Sequence, residues 1–134
     1  MATQITPFLM FEGQAEAAMN HYVAIIPGSA IDHVERHGAE QPEFEGRVLL
    51  ARFHLAGQAL MCSDSPVEHG FTFTPASSLF VELDDQAAVD DAFTRLADGG
   101  AVLMPLDAYP FSARFGWVTD RFGVSWQLTL RDPR

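Results

Sequence analysis

The sequence predicts an α+β fold of two βαβββ halves arranged around a small-molecule cavity. Two observations carry this. Short apolar stretches and amphipathic helical stretches follow one another in the same order twice, and the two halves overlay at fixed offsets. At an offset of 71, Pro7 meets Ser78, Phe8 meets Leu79, Met10 meets Val81, Tyr22 meets Phe93 and Gly28 meets Gly99. At an offset of 66, Gly57 meets Gly123, Leu60 meets Trp126, Met61 meets Gln127 and Cys62 meets Leu128. Loops of unequal length inside the units absorb the difference.

Residues 5–11 are β-rich and apolar and predict a strand. In residues 13–26, Ala15, Ala18, Met19, Tyr22, Val23 and Ile26 recur at helical spacing until Pro27-Gly28 stops the helix. A second strand is expected over 30–37 and a polar loop over 38–46. The third, over 47–55, alternates through Leu49, Ala51, Phe53 and Leu55. Ala56-Gly57 turns the chain into a fourth strand, 58–63. After a Pro- and Gly-containing connector, 64–76, the order repeats: a strand over 77–83, a helix over 85–97 closed by Gly99-Gly100, and strands over 101–105, 114–119 and 124–130. Asp120-Arg121-Phe122-Gly123 is a turn signal between the last two. Asp84-Asp85 reads as a cap and first-turn charge for the second helix. The expectation is one domain, 1–134, with modules at 1–66 and 77–134.

The chain has 134 residues, 48% of them hydrophobic, enough for a real core that buries about two-thirds of the unfolded surface. Eighteen acidic against eight basic side chains give a formal charge of −10. No segment gathers basic residues into a stripe that could neutralise phosphates, so nucleic acid and anionic membranes are not expected partners. The apolar runs fall far short of the roughly 20 residues a membrane helix needs. Cys62 is the one cysteine and has no partner for an internal disulfide. The opening MATQITPF lacks the features of a signal peptide, and the expected location is the cytoplasm.

Side chains alternate across a strand, so which face each residue takes follows from parity. If Leu60, Cys62, Trp126 and Leu128 pack under the helices, Met61, Ser63, Ser125 and Gln127 face the cavity. The same reasoning places Phe8, Met10, Leu79 and Val81 under helices and turns Pro7, Leu9, Ser78 and Phe80 inward. On the third strand Leu50, Arg52 and His54 share the inner face.

The segments ITPFLMFEGQAEAAMNHY, FTFTPASSLFVELDD and FGWVTDRFGVSWQL, with the doubled βαβββ order, resemble the vicinal oxygen chelate superfamily. Within it the chain is similar to the PhnB-like group, many of whose members carry the name 3-demethylubiquinone-9 3-methyltransferase. The resemblance covers nearly the whole chain. It implies the glyoxalase/bleomycin-resistance fold, a cupped, mostly antiparallel sheet commonly completed in a homodimer. In metal-dependent members, ligands come from the first and last strands of each module, usually His early and Glu late. Carried onto this chain, those positions fall on Pro7, near Met61, on Ser78 and on Gln127. Zinc, nickel or iron needs imidazole, thiolate or carboxylate donors, and these residues supply none. No metal and no cofactor is expected; a shift of one residue at Met61 brings in Cys62 and still leaves the set short.

His33 and His37 on a strand stand about 13 Å apart at 3.3 Å per residue and cannot share an ion. His21 falls on the first helix. Arg52 and His54 together suit an anionic ligand group, because a guanidinium fork matches carboxylate or phosphate. Cys62, facing the helices, reads as an inert buried thiol. Phe111, Phe115, Trp117 and Trp126 cluster near the end of the chain, where large rings supply core or an apolar ligand wall. Trp126 reads as core, whereas parity past Pro110 leaves Trp117 open between core and cavity.

The cavity set is therefore Pro7, Arg52, His54, Met61, Ser78, Trp117 and Gln127, and no catalytic residue is assigned. The leading reading is a metal-independent protein that binds a small molecule of unassigned identity, with a homodimer as the expected assembly. The alternative is a lyase or isomerase, with an atypical metal site or with His54 as a metal-free acid/base group. The third takes the methyltransferase name literally. Against it, the chain lacks the Gly-rich strand–helix turn and the doubly wound order common among S-adenosylmethionine enzymes.

Overall fold

The computed structural model describes residues 2–132. The elements run β1 (Phe8–Phe11), α1 (Ala15–Ile25), β2 (Ala30–Arg36), β3 (Val48–Leu55), β4 (Gln58–Asp64), β5 (Ser78–Leu83), α2 (Gln86–Ala97), β6 (Ala101–Tyr109), β7 (Ser112–Thr119) and β8 (Ser125–Leu130). They form two four-stranded sheets, ordered β1-β4-β3-β2 and β5-β8-β7-β6. In each, the first strand lies parallel to the last and the remaining pairs are antiparallel. This is the doubled βαβββ arrangement of the glyoxalase/bleomycin-resistance fold. The chain divides between His69 and Gly70 into two compact units.

In the first unit α1 lays Ala15, Ala18, Met19, Tyr22 and Ile25 onto the sheet. This is the i, i+3, i+4 stripe of an amphipathic helix. Beneath it are Ala51, Phe53 and Leu55 of β3 and Leu60 and Cys62 of β4, all buried. Leu49, expected on that face, is half exposed, and Val48 is buried in its place. The register explains the exchange: Glu35 stands opposite Leu50 and Arg36 opposite Val48, so Leu49 is the extra residue of an irregularity.

In the second unit Val89, Ala92 and Leu96 of α2 cover Val118, Trp126 and Leu128. Gly116 of β7 sits under the Phe93 ring; a Cβ there would lie 2.5 Å from it, so only glycine lets helix and sheet approach this closely. The strand expected to stop at Pro105 runs on to Tyr109. Because β6 is an edge strand, the missing proline N–H removes no necessary ladder bond there.

The helices begin differently. Asp85 caps α2 locally, its carboxylate accepting from the Ala88 N–H at 2.8 Å. At α1 the N-cap residue, Gln14, makes no side-chain cap. Asp64, at the end of β4 and 4% exposed, serves instead. Its Oδ1 accepts from the Gly13 and Ala15 N–H groups at 2.8 and 2.9 Å, and its Oδ2 accepts from the Val48 N–H at 3.2 Å.

Candidate functional site

Each sheet has one face under its helix and one free of it. Because residues paired across a ladder share a face, the register names the helix-free side. In the first unit one row crosses the sheet as Phe8, Met61, Arg52 and His33. In the second the matching row is Phe80, Gln127, Trp117 and Met104. Phe8 and Phe80 are 50% and 59% exposed, large rings that neither unit buries.

Met61, Arg52, His54, Ser78 and Gln127 take the faces expected of them, and Trp117 is settled onto the open face beside Gln127. Pro7 does not join them. Leu9 stands beside Cys62 and Phe11 beside Asp64, on the helix side, so Phe8 and Met10 take the open face and Pro7, one residue before the strand, falls on the parity of Leu9. The loop lengths account for the correction. Three residues, 12–14, join β1 to α1, whereas two, 84–85, join β5 to α2. An overlay that matches the helices is therefore one residue out on the first strand, and one residue reverses every side chain.

On the second open face the Trp117 Nε1–H donates to Ser125 Oγ at 2.8 Å, and the Ser125 and Ser78 hydroxyls share a hydrogen bond of 2.7 Å. The network fixes the indole plane beside the Gln127 amide. Tyr109 and Phe111 stack at 5.6 Å, and Phe111 meets Phe115 edge-on at 4.9 Å, closing one end of this face.

The first open face is charged along one side. His54 Nδ1 lies 3.0 Å from both carboxylate oxygens of Asp32, and since a carboxylate only accepts, Nδ1 is the donor. Asp32 carried no signal in the sequence. By alternation it shares the face of Ala30, which stands opposite His54, and the shift in pairing between Ile31 and His33 is a bulge that brings His33 onto the same face opposite Arg52. His33 lies 3.3 Å from Glu35, while His37 lies 3.3 Å from the Asp64 carbonyl, so the two have separate partners.

Cys62 is buried on the helix side, and burial, with the Asp64 charge behind it, pushes its thiol up to about 12. Among the described residues no three His, Cys, Asp or Glu side chains are grouped to hold a metal ion. The neighbours on first and last strands are Phe8 with Met61 and Phe80 with Gln127, which offer a thioether and a neutral amide. That donor set does not fit the superfamily's metal. No helix among the described residues is long and apolar enough to cross a membrane.

A family model described as 3-demethylubiquinone-9 3-methyltransferase matches residues 3–129. No curated protein compared with the chain matches it. Among solved structures, the PhnB protein from Bacillus cereus is 52% identical over 96% of this chain and 100% of its own, with a TM-score of 0.93. A Pseudomonas aeruginosa protein is 28% identical over 97% and 98% of the two chains, with a TM-score of 0.80. A glyoxylase/bleomycin resistance protein/dioxygenase domain from Frankia, 14% identical over 100% and 96% of the chains, shares the fold at a TM-score of 0.67.

Proposed function

The chain belongs to the 3-demethylubiquinone-9 3-methyltransferase family of the vicinal oxygen chelate superfamily, and from that premise we propose that it binds a small organic molecule without a metal ion. The observation that carries this is the pair of matching rows on the open faces, Phe8–Met61–Arg52–His33 and Phe80–Gln127–Trp117–Met104. Where metal-dependent members place imidazole and carboxylate, this chain places rings, a thioether and an amide. Such rows suit a molecule with an apolar body, which gains about 25 cal/mol per Å² of apolar surface covered, and with polar groups to meet the polar side chains of a row. The methyltransferase of the family description enters only as a name. The sheets here are mixed and four-stranded, unlike the doubly wound sheet that S-adenosylmethionine enzymes commonly use.

The proposed assembly is a homodimer, supported by the exposed rings on both open faces. A cytoplasmic location is supported by a free, buried Cys62. Native mass spectrometry and elemental analysis of gently purified protein test the reading together. The expected result is a metal-free dimer carrying a discrete organic molecule. One divalent ion per chain would overturn metal independence, and a monomer that holds no organic molecule would overturn the rest.

A further inference from the structure

We propose that the open face of the first sheet takes a molecule bearing both an ionised carboxylate and a weakly acidic hydroxyl, with Arg52 holding the carboxylate and His54, oriented by Asp32, accepting the hydroxyl proton. This rests on the small-molecule reading above and names the class of ligand.

The charges on that face are distributed unevenly. Asp32, His33 and Glu35 come from β2 and Arg52 and His54 from β3, while β4 and β1 contribute Ala59, Met61, Ser63, Phe8 and Met10. A ligand with an apolar body over Met61 and Phe8 therefore has its polar end over β2 and β3.

Within the polar end the imidazoles are provided for and the guanidinium is not. Asp32 is engaged by His54 at 3.0 Å and Glu35 by His33 at 3.3 Å. Elsewhere Arg36, Arg95, Arg114, Arg121 and Arg131 each hold a carboxylate, and Arg47 lies over the Phe44 ring. Arg52 is exposed, and among the described residues its guanidinium has no hydrogen bond, ion pair or ring contact. In a chain of net charge −10, this cation without a carboxylate is a local exception that a carboxylate ligand would fill.

Arg52 and His54 project from the same face two residues apart, about 6.6 Å along the strand. That span matches the two ends of a small hydroxy acid. With Nδ1–H committed to Asp32, the lone pair of the neutral ring lies on Nε2. The ligand O–H bond breaks, an N–H bond forms at Nε2, the electron pair stays on the ligand oxygen, and Asp32 faces the resulting imidazolium. Asp32 is thus a positioning residue and His54 the group that touches the ligand.

The test uses three aromatic probes titrated into the intact protein and followed by calorimetry and NMR: 3-hydroxybenzoate, benzoate and uncharged 3-hydroxybenzyl alcohol. Arg52→Gln is expected to weaken both carboxylates about tenfold or more and leave the alcohol unchanged, the loss of one charge-assisted bidentate contact. His54→Gln is expected to weaken 3-hydroxybenzoate and spare benzoate. The His54 ring nitrogens of the wild type should show the Nδ1–H tautomer, and Asp32→Asn should shift it towards Nε2–H, a signature that a merely structural role would not produce. Equal affinity for all three probes, indifference to Arg52→Gln, or an Nε2–H tautomer in the wild type would overturn this inference and leave the small-molecule reading standing. No binding by any probe overturns this inference, and the passenger found by native mass spectrometry then judges the broader reading separately.

Discussion

Asp64→Ala removes one carboxylate and three hydrogen bonds at once. The Ala15 and Val48 N–H groups it serves are buried, and that of Gly13 is partly so. An orphaned buried donor costs about 1–3 kcal/mol, and a carboxylate at a helix N-terminus contributes up to about 1 kcal/mol through the helix dipole. Water entering the vacated space offsets part of the loss, so the expected destabilisation is about 3–5 kcal/mol. This is a large share of the 5–15 kcal/mol typical of a domain. Asp64→Asn keeps one oxygen but turns an amide towards an N–H donor, and should lose roughly half as much. Asp85→Ala, at the exposed local cap of α2, should lose only about 1 kcal/mol. The assay is urea unfolding followed by far-UV circular dichroism. Tryptophan emission serves as a second probe, since Trp117 and Trp126 both lie in the second unit and report its unfolding. An Asp64→Ala protein within about 1 kcal/mol of wild type would refute the assignment of Asp64 as the cap of α1.

Two further outcomes follow from the packing. Because burial raises the Cys62 thiol to about 12, it should resist a disulfide reagent at pH 8 in the folded protein and react promptly in denaturant; fast reaction without denaturant would contradict its burial. The raised folded value also sets a sign: stability is unaffected below about 9, where the unfolded thiol ionises, and falls as pH rises from there towards 12. Gly116→Ala puts a methyl group against the Phe93 ring and should cost about 1–3 kcal/mol by overpacking, read as a lower urea midpoint; an unchanged midpoint would show that α2 can move away.

Much of this molecule is written locally. Helical spacing of Ala15, Ala18, Met19 and Tyr22 marks the buried stripe of α1, and Asp84-Asp85 marks the start of α2, because a cap lies within a few residues of the N–H groups it serves. The faces of β3, β4, β5 and β8 follow from alternation, and with them the positions of Arg52, His54, Met61, Ser78 and Gln127. Where alternation failed, something outside the strand had intervened. An extra residue in the 12–14 loop moved Pro7 and Leu9 off the open face and brought Phe8 and Met10 onto it. Pro105 reads as a stop because nothing near it in the sequence shows that its strand lies at a sheet edge, where the pairing shifts between Met104 and Asp107.

The sequence by itself determined the doubled βαβββ order, the helix stripes and most of the residues that face away from the helices. These depend on spacings of two to four residues that the backbone geometry enforces. Only the tertiary structure decided that Asp64 caps a helix some fifty residues earlier in the chain, that Asp32 meets His54 across the β2–β3 pair, and that Trp117 stands beside Gln127 tied to Ser125. Each of these joins groups whose meeting depends on strand register, and register is settled by the packing of a whole sheet rather than by any one of its strands.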